Sequence, residues 1–202
     1  MASVNRTIDL LRHGEPVGGS RYRGHGVDDP LSEKGWRQMW EGVGENFSWE
    51  LIISSPLQRC ADFSRNLAER HDIPLLIDER FREIGFGEWE GKTRAELQAN
   101  NGHEFHSFYA DPVNNTPTGA EPVSEFYQRV NAAFQDIRLQ NPVGDLLIVA
   151  HAGVIRAIVA GAIQAGLASM YKLTIQNGCI ARLFDTGDRL MLEGLNLRLS
   201  RY

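Results

Sequence analysis

Cysteine is nearly missing: Cys60 and Cys179 are the only two in 202 residues, far apart and without metal-ligand spacing. That excludes a disulfide framework and argues against a zinc site, so both are expected to be buried free thiols. No apolar run approaches the roughly 18 residues of a membrane span, and Met1 to Arg6 lack the long apolar stretch of a secretory signal. A cytoplasmic protein without a membrane partner is therefore expected. An excess of positive charge is missing too, since 21 Lys and Arg against 26 Asp and Glu leave a net charge of −5. Binders of the nucleic-acid backbone are usually basic overall, so no nucleic-acid partner is expected, and an anionic substrate would have to be met by a local cluster of Arg and His. Repeats, low-complexity tracts and linkers are absent as well, which fits one domain over residues 1–202 with a sizeable core.

What the chain does hold begins with Leu11-Arg12-His13-Gly14-Glu15, directly after the run Thr7-Ile8-Asp9-Leu10. A β-branched and aliphatic stretch of that length reads as a buried strand, so the basic pair falls where the strand leaves the sheet. Open α/β sheets bind ligands at that edge. Gly14 frees the backbone to turn and to approach a ligand closely. The turn suits an anion held beside an imidazole, although this stretch alone equally allows a solvated Arg12 and an ordinary strand-end His13. Asp145 to Ala150, the most apolar strand, repeats the arrangement with His151-Ala152-Gly153 at its exit and a helix behind. Two histidines at the carboxyl ends of parallel strands, each followed by a tight turn, are hard to attribute to packing.

The segments between them read as follows. Glu15 to Gly26 is a loop whose Arg21, Arg23 and His25 are either solvated or turned toward the ligand of Arg12 and His13. Ser32 caps a helix with Trp36, Met39, Trp40 and Val43 in register, and Leu51 to Ser54 is a second strand. Ser55-Pro56 reads as a capping serine followed by proline in the first turn of a helix, which puts Arg59 one turn in and within reach of Arg12. Ile73 to Ile77 is a third strand. Asp78 to Gly91 is a glycine-rich loop with four glutamates, one of which is expected to enter the site. Lys92 to Ala110 reads as one helix, and residues 86–121 as a cap excursion that roofs a pocket. His103 and His106 have metal-compatible spacing but no third ligand nearby, so no metal is expected. A helix from Pro122 to Gln140 returns to the sheet, and Ile175 to Phe184 with Arg189 to Leu197 form a closing antiparallel hairpin. The fold class is α/β: a three-layer α/β/α sandwich on a mostly parallel sheet.

Taken in order, Leu11 to Glu15, Asp29 to Gly35, Ser54-Ser55-Pro56-Leu57-Gln58-Arg59, Glu83 to Gly91, Phe126 to Val130 and Val149 to Gly153 resemble the histidine phosphatase superfamily, the phosphoglycerate mutase-like fold. The resemblance implies that His13 is the nucleophile, that Arg12, Arg59 and His151 hold the phosphoryl group, that Glu83 is the proton donor, and that no cofactor takes part. Pro16 stands where Thr or Ser commonly follows the Glu. Gly19 stands where a phosphate-contacting Asn is often found, so a compensating contact is sought among Ser20, Arg21 and Arg23. Ala120 and Ala152 replace common glycines.

The chemistry asks for such residues independently. Phosphomonoesters resist nucleophiles because of their own charge, and enzymes must accelerate their hydrolysis by up to about 10²¹-fold. A neutral imidazole can split that step in two, two guanidiniums and a second imidazole can hold the equatorial oxygens, and a carboxylic acid can protonate the departing alkoxide. A small-molecule phosphomonoester is thus the expected partner and hydrolysis the expected reaction. A fructose-2,6-bisphosphatase-like phosphatase, a broad-specificity phosphatase and a mutase, which typically carries a longer insertion before the second histidine, are the alternative enzymes, and a silent phospholigand-binding protein is the alternative from another class. Trp89, Phe105, Phe108 and Tyr109 offer a flat surface and Asn114, Asn115 and Thr116 could meet sugar hydroxyls. The cap's only nearby cations are Lys92 and Arg94. That mixture suits a ribose phosphate carrying an aromatic base better than a small, highly charged acid.

Overall fold

The protein is described by a computed structural model covering residues 5–199. Strands β1 (Arg6–Arg12), β2 (Trp49–Ser54), β3 (Leu75–Ile77), β4 (Asp145–Ala150), β5 (Ile180–Asp185) and β6 (Leu190–Leu197) form one sheet in the order β3-β2-β4-β1-β5-β6. The helices are α1 (Glu33–Val43), α2 (Gln58–His71), α3 (Arg94–Asn100), α4 (Gly102–Ala110), α5 (Val123–Gln140) and α6 (Ala152–Ala162). β3, β2, β4 and β1 run parallel, while β5 is antiparallel to β1 and β6 to β5. Successive strand residues point to opposite faces, and both faces are covered. Leu11, Ile52, Leu147 and Val149 pack with Met39 and Val43 of α1 and Phe63 and Leu67 of α2. Their neighbours Leu10, Ile53 and Ile148 pack with Phe126 and Val130 of α5 and Ile155 and Ile158 of α6. This is the three-layer arrangement expected from the sequence.

Four local expectations are corrected. α2 starts at Gln58, not at Ser55-Pro56: the Ser55 hydroxyl accepts from the Leu57 N–H at 3.3 Å and bonds His151 Nε2, and the capping position, Leu57, has no side-chain cap. The third strand is only Leu75–Ile77: Asp72 takes a left-handed conformation (φ 53°) at the end of α2, and the Ile73 N–H closes onto the Ala68 carbonyl. The expected single helix Lys92 to Ala110 is two, broken at Asn101 before Gly102, where poor helix formers follow one another. The closing hairpin begins at Ile180 and not at Ile175, residues 175–179 forming a turn with Gly178 at φ 65°. Among the described residues no helix is long and apolar enough to cross a membrane.

Candidate active site

Register alone brings the two histidines together. Arg12 pairs with Ala150 across β1 and β4, and the His13 N–H donates to the Ala150 carbonyl at 3.0 Å, so His13 and His151 leave adjacent strand ends. Their ring centroids lie 5.2 Å apart at 62°. Ser55 leaves β2 on the other side of β4, its N–H bonded to the Val149 carbonyl at 3.0 Å.

His13 Nδ1 lies 2.7 Å from the Gly14 carbonyl oxygen. A carbonyl can only accept, so Nδ1 carries the proton and Nε2 keeps a free lone pair. Asn177 Nδ2 donates to the His13 carbonyl at 2.9 Å and fixes the peptide. Burial, reinforced by Arg59 and Arg12, holds the His13 imidazole well below the usual histidine range, and burial followed by Arg59 does the same for His151. Both rings are therefore neutral near pH 7, the state a nucleophilic imidazole needs. His151 is fully buried behind His13 and does not form part of the cavity wall; its Nε2 is hydrogen-bonded to Ser55 Oγ at 2.7 Å, with Cys60 Sγ 3.7 Å away.

Arg12 and Arg59 both line a cavity of about 190 Å³ that His13 and Glu83 share. Arg12 Nη1 donates to the Ile175 carbonyl at 2.5 Å, and burial, partly offset by Glu83, lowers its pKa to about 10, which leaves it charged at neutral pH. Arg59 spends Nη1 on the Val27 carbonyl (3.0 Å) and Nη2 on the Gly24 carbonyl (2.7 Å), with Asp28 at 3.6 Å. Each of the two keeps a buried Nε–H without a partner. An unsatisfied buried donor of this kind costs about 1–3 kcal/mol, which an anion accepting from it would offset.

Glu83 is the acid-loop glutamate that reaches the cavity. Its carboxylate accepts from the Ile84 N–H at 3.1 Å and, at the start of α6, from the Gly153 N–H at 3.2 Å. A Cβ on Gly153 would collide with Glu83 Oε1, so the glycine two residues after His151 is there to let the carboxylate approach. The other acidic residues lie elsewhere: Glu88 is exposed, Glu90 accepts from the Phe86 N–H at 2.9 Å, and Glu121 pairs with Arg129 at 2.8 Å. Gly14 has a different reason from the one its position suggested. A Cβ there would strike the Gly35 carbonyl, so it permits the strand exit to pack on α1 rather than on a ligand.

Ser20, Arg21 and Arg23 line the cavity, and His25 does not; its Nδ1 bonds the Glu83 carbonyl at 3.1 Å. Arg23 is buried against Asp29 (2.8 Å) and Arg21 donates to the Gly18 and Gly91 carbonyls. The expected aromatic platform is corrected. Trp89, Phe105 and Phe108 are buried against one another, with Trp89 Nε1 bonded to Glu104 at 2.7 Å, and belong to the same hydrophobic cluster as Phe126 of α5 and Ile155 of α6, so they extend the main core. Only Tyr109 of the four reaches the cavity, where it joins Tyr22, Phe86 and Tyr171. Asn114, Asn115 and Thr116 are not on the wall; both asparagine side chains turn back onto Asp111. Among the described residues no group of three His, Cys, Asp or Glu is placed to hold a metal ion.

Sequence reasoning missed the contacts of Ser55, Asn177, Tyr22, Tyr171 and Arg156. Arg156 had a signal, as the one charged residue in the apolar helix Ala152–Ala162. Ser55 had none, since its partner is 96 residues away. Ser55→Ala is expected to leave His151 Nε2 with only the weak Cys60 Sγ contact at 3.7 Å and to lower unfolding stability by about 1–3 kcal/mol in denaturant titration, with Ser55→Thr retaining more. Unchanged stability would mean the contact is not made.

A family model described as histidine phosphatase superfamily (branch 1) matches residues 8–198. The chain is 31% identical over 168 residues to a bifunctional protein of Mycobacterium tuberculosis, covering 81% of this chain but only 46% of that protein's length. It is 28% identical over 193 residues to the adenosylcobalamin/α-ribazole phosphatase of Salmonella typhimurium, covering 94% of this chain and 95% of the relative. The native structure of a mycobacterial glucosyl-3-phosphoglycerate phosphatase superposes with a TM-score of 0.82 at 26% identity, over 96% of this chain and 99% of that one.

Proposed function

Because this chain belongs to the histidine phosphatase superfamily, we propose that it hydrolyses phosphomonoesters through a phosphohistidine on His13. The observation that carries this reading is the free lone pair on His13 Nε2, in a ring kept neutral by burial, in one cavity with Arg12, Arg59 and Glu83. Nε2 attacks phosphorus while the bond to the ester oxygen breaks, and Glu83 supplies that oxygen with a proton. Glu83, now a carboxylate, takes a proton from water, which attacks phosphorus, breaks the P–N bond and releases inorganic phosphate. Arg12 and Arg59 neutralise the charge that spreads over the equatorial oxygens. His151, expected from the resemblance to hold the phosphoryl group but lying off the cavity wall, packs edge-on against the His13 ring at 5.2 Å and is oriented by Ser55, so its role is to position the nucleophile.

Nucleophile, cations and proton donor all come from the chain, so no metal step is needed. Turnover of p-nitrophenyl phosphate is expected to survive EDTA and to be blocked by vanadate, which adopts the five-coordinate geometry of the transferring group. Loss of activity in EDTA with recovery on adding a divalent ion would contradict the metal-free step. Vanadate binding with no turnover at all would identify a silent phospholigand-binding protein.

For the leaving group, the aromatic wall of Tyr22, Phe86, Tyr109 and Tyr171 supports α-ribazole 5′-phosphate, in keeping with the Salmonella relative. A second reading, the phosphate ester of an acidic alcohol, is favoured by Arg156, a cation on the cavity wall outside the cap. The mycobacterial structural neighbour is named for an ester of this kind. Comparing kcat/KM for α-ribazole 5′-phosphate, 3-phosphoglycerate and fructose 2,6-bisphosphate under one set of conditions decides between them, with mutase activity expected to be negligible.

A further inference from the structure

The cavity wall carries five arginines and two glutamates. Several of these charges are already answered by the protein: Arg23 by Asp29 at 2.8 Å, Arg59 by Asp28 at 3.6 Å, and Glu15 by Lys34 at 2.9 Å. Arg12 lies at the strand end beside His13, where the phosphoryl group would sit. Arg156 remains. Its Nε–H donates to the Leu173 carbonyl at 2.9 Å, its guanidinium carbon lies 5.7 Å from the centre of the Tyr171 ring, and it has no ion-pair partner among the described residues. One edge of the guanidinium is thus used for positioning, and the two Nη groups are left for something else. A half-buried cation anchored through Nε and seated over Tyr171, without a counter-charge in the protein, is placed to meet an anion entering the cavity.

Its place in the fold says which part of a substrate it would meet. Gly153 and Arg156 are three residues apart on α6 and so share a face of the helix. The Gly153 N–H holds the Glu83 carboxylate, the proton donor to the departing oxygen in the reading above. Arg156 therefore stands a little under one helical turn, about 4.5 Å along the axis, beyond the point where the alcohol would leave. With the phosphoryl group at His13 on one side of Glu83, the body of the alcohol would extend on the Arg156 side, along Tyr171 and Tyr109, whose rings pack edge-to-face at 6.1 Å and also line the cavity.

We propose that Arg156 is a specificity-determining residue that binds an anionic group, a carboxylate or a second phosphate, on the alcohol portion of the substrate. The proposal rests on the phosphatase reading and selects the acidic-alcohol class within it. A free Nη pair presents two parallel donors, the geometry that carboxylates and phosphates accept in bidentate fashion.

Two matched substrate pairs test it: 3-phosphoglycerate against glycerol 3-phosphate, which differ by a carboxylate, and fructose 1,6-bisphosphate against fructose 6-phosphate, which differ by a phosphate. The wild type is expected to prefer the anionic member of at least one pair, and which pair responds identifies the anion. Arg156→Gln is expected to lower kcat/KM for that preferred ester by about 10- to 100-fold, the worth of one charge-assisted contact, and to change its neutral counterpart by less than about threefold. Arg156→Lys is expected to recover part of the loss, since it restores the charge without the fork. Equal losses on both members of a pair, no wild-type preference in either pair, or faster turnover of α-ribazole 5′-phosphate than of every anionic ester would overturn the proposal. Calorimetric titration of wild type and Arg156→Gln with the same four esters gives a readout independent of turnover. If p-nitrophenyl phosphate is not hydrolysed, the phosphatase reading fails, and the binding preference still decides the role of Arg156.

Discussion

Replacing His13 by alanine is expected to lower kcat/KM for every phosphomonoester by about 10⁴-fold or more, the scale on which enzymes lose activity with their nucleophile. Rapid quenching of the wild type should trap an acid-labile, base-stable phosphoenzyme, and the variant should show none. The same residue sets the acid side of the pH profile. Its pKa lies well below the usual histidine range because burial, Arg59 and Arg12 all disfavour the imidazolium. The neutral, nucleophilic form therefore persists as pH falls through about 6.5, where an ordinary histidine would protonate. The acid limb of kcat/KM, which reports the free enzyme, is expected below that value. The linkage to stability has a definite sign. Between the ordinary histidine pKa and the depressed folded one, the unfolded chain binds protons that folded His13 and His151 refuse, so stability rises with pH and is lost as pH falls through that window. Near-normal turnover by His13→Ala would rule out His13 as the attacking group; an acid limb at or above the ordinary value that is not the ester's own ionisation would contradict the depressed His13 pKa.

The parts of this site that could be read from the chain are those where local pattern and position coincide. Leu11-Arg12-His13 and Val149-Ala150-His151 each end an apolar run of strand length, and two such runs buried on both faces pair in parallel, which is what places Arg12 opposite Ala150. The aliphatic alternation that sends Leu10 to one face and Leu11 to the other is visible before any coordinates are. Glu83 could be placed in the acid-rich loop by resemblance, yet the reason it stays near His13, the missing Cβ of Gly153, depends on two segments 70 residues apart.

What failed was the assignment of inside and outside within the cap. Trp89, Phe105 and Phe108 have the same composition whether they face a ligand or one another. Only the packing of α3 and α4 against the 3₁₀ turn Gly87–Trp89 decides that they form a core. With the platform gone and Arg156 present, the cation shortage that argued against an acidic substrate disappears, because the missing cation comes from α6 and not from the cap. Ser55 shows the converse. Its hydroxyl still accepts from the Leu57 N–H at 3.3 Å, but it also bonds a buried imidazole from the end of another strand, and the helix begins only at Gln58.

Glu83→Gln is expected to slow the hydrolysis of alkyl phosphates by about 10²- to 10⁴-fold, the range typical of general acid catalysis, and to affect activated aryl phosphates far less in the phosphorylation step. The argument runs through the leaving group. An alkoxide is too basic to depart without a proton, whereas p-nitrophenolate leaves unaided, so only the first needs the acid. The amide keeps one oxygen to accept from the Ile84 or Gly153 N–H and nearly the same volume beside Gly153, so a general loss of structure is not expected to mimic this split. Pre-steady-state kinetics separate the two halves of the reaction. With p-nitrophenyl phosphate the variant should show a burst of p-nitrophenol followed by slow turnover, because Glu83 is still needed to activate the water that attacks the phosphohistidine. With an alkyl phosphate the first step itself becomes slow and the burst disappears. Equal losses in phosphorylation for both ester classes would remove Glu83 as the donor. The replacement would then have to be sought outside its loop neighbours, since Glu121 is tied to Arg129, Glu90 to the Phe86 N–H, and Glu88 faces solvent.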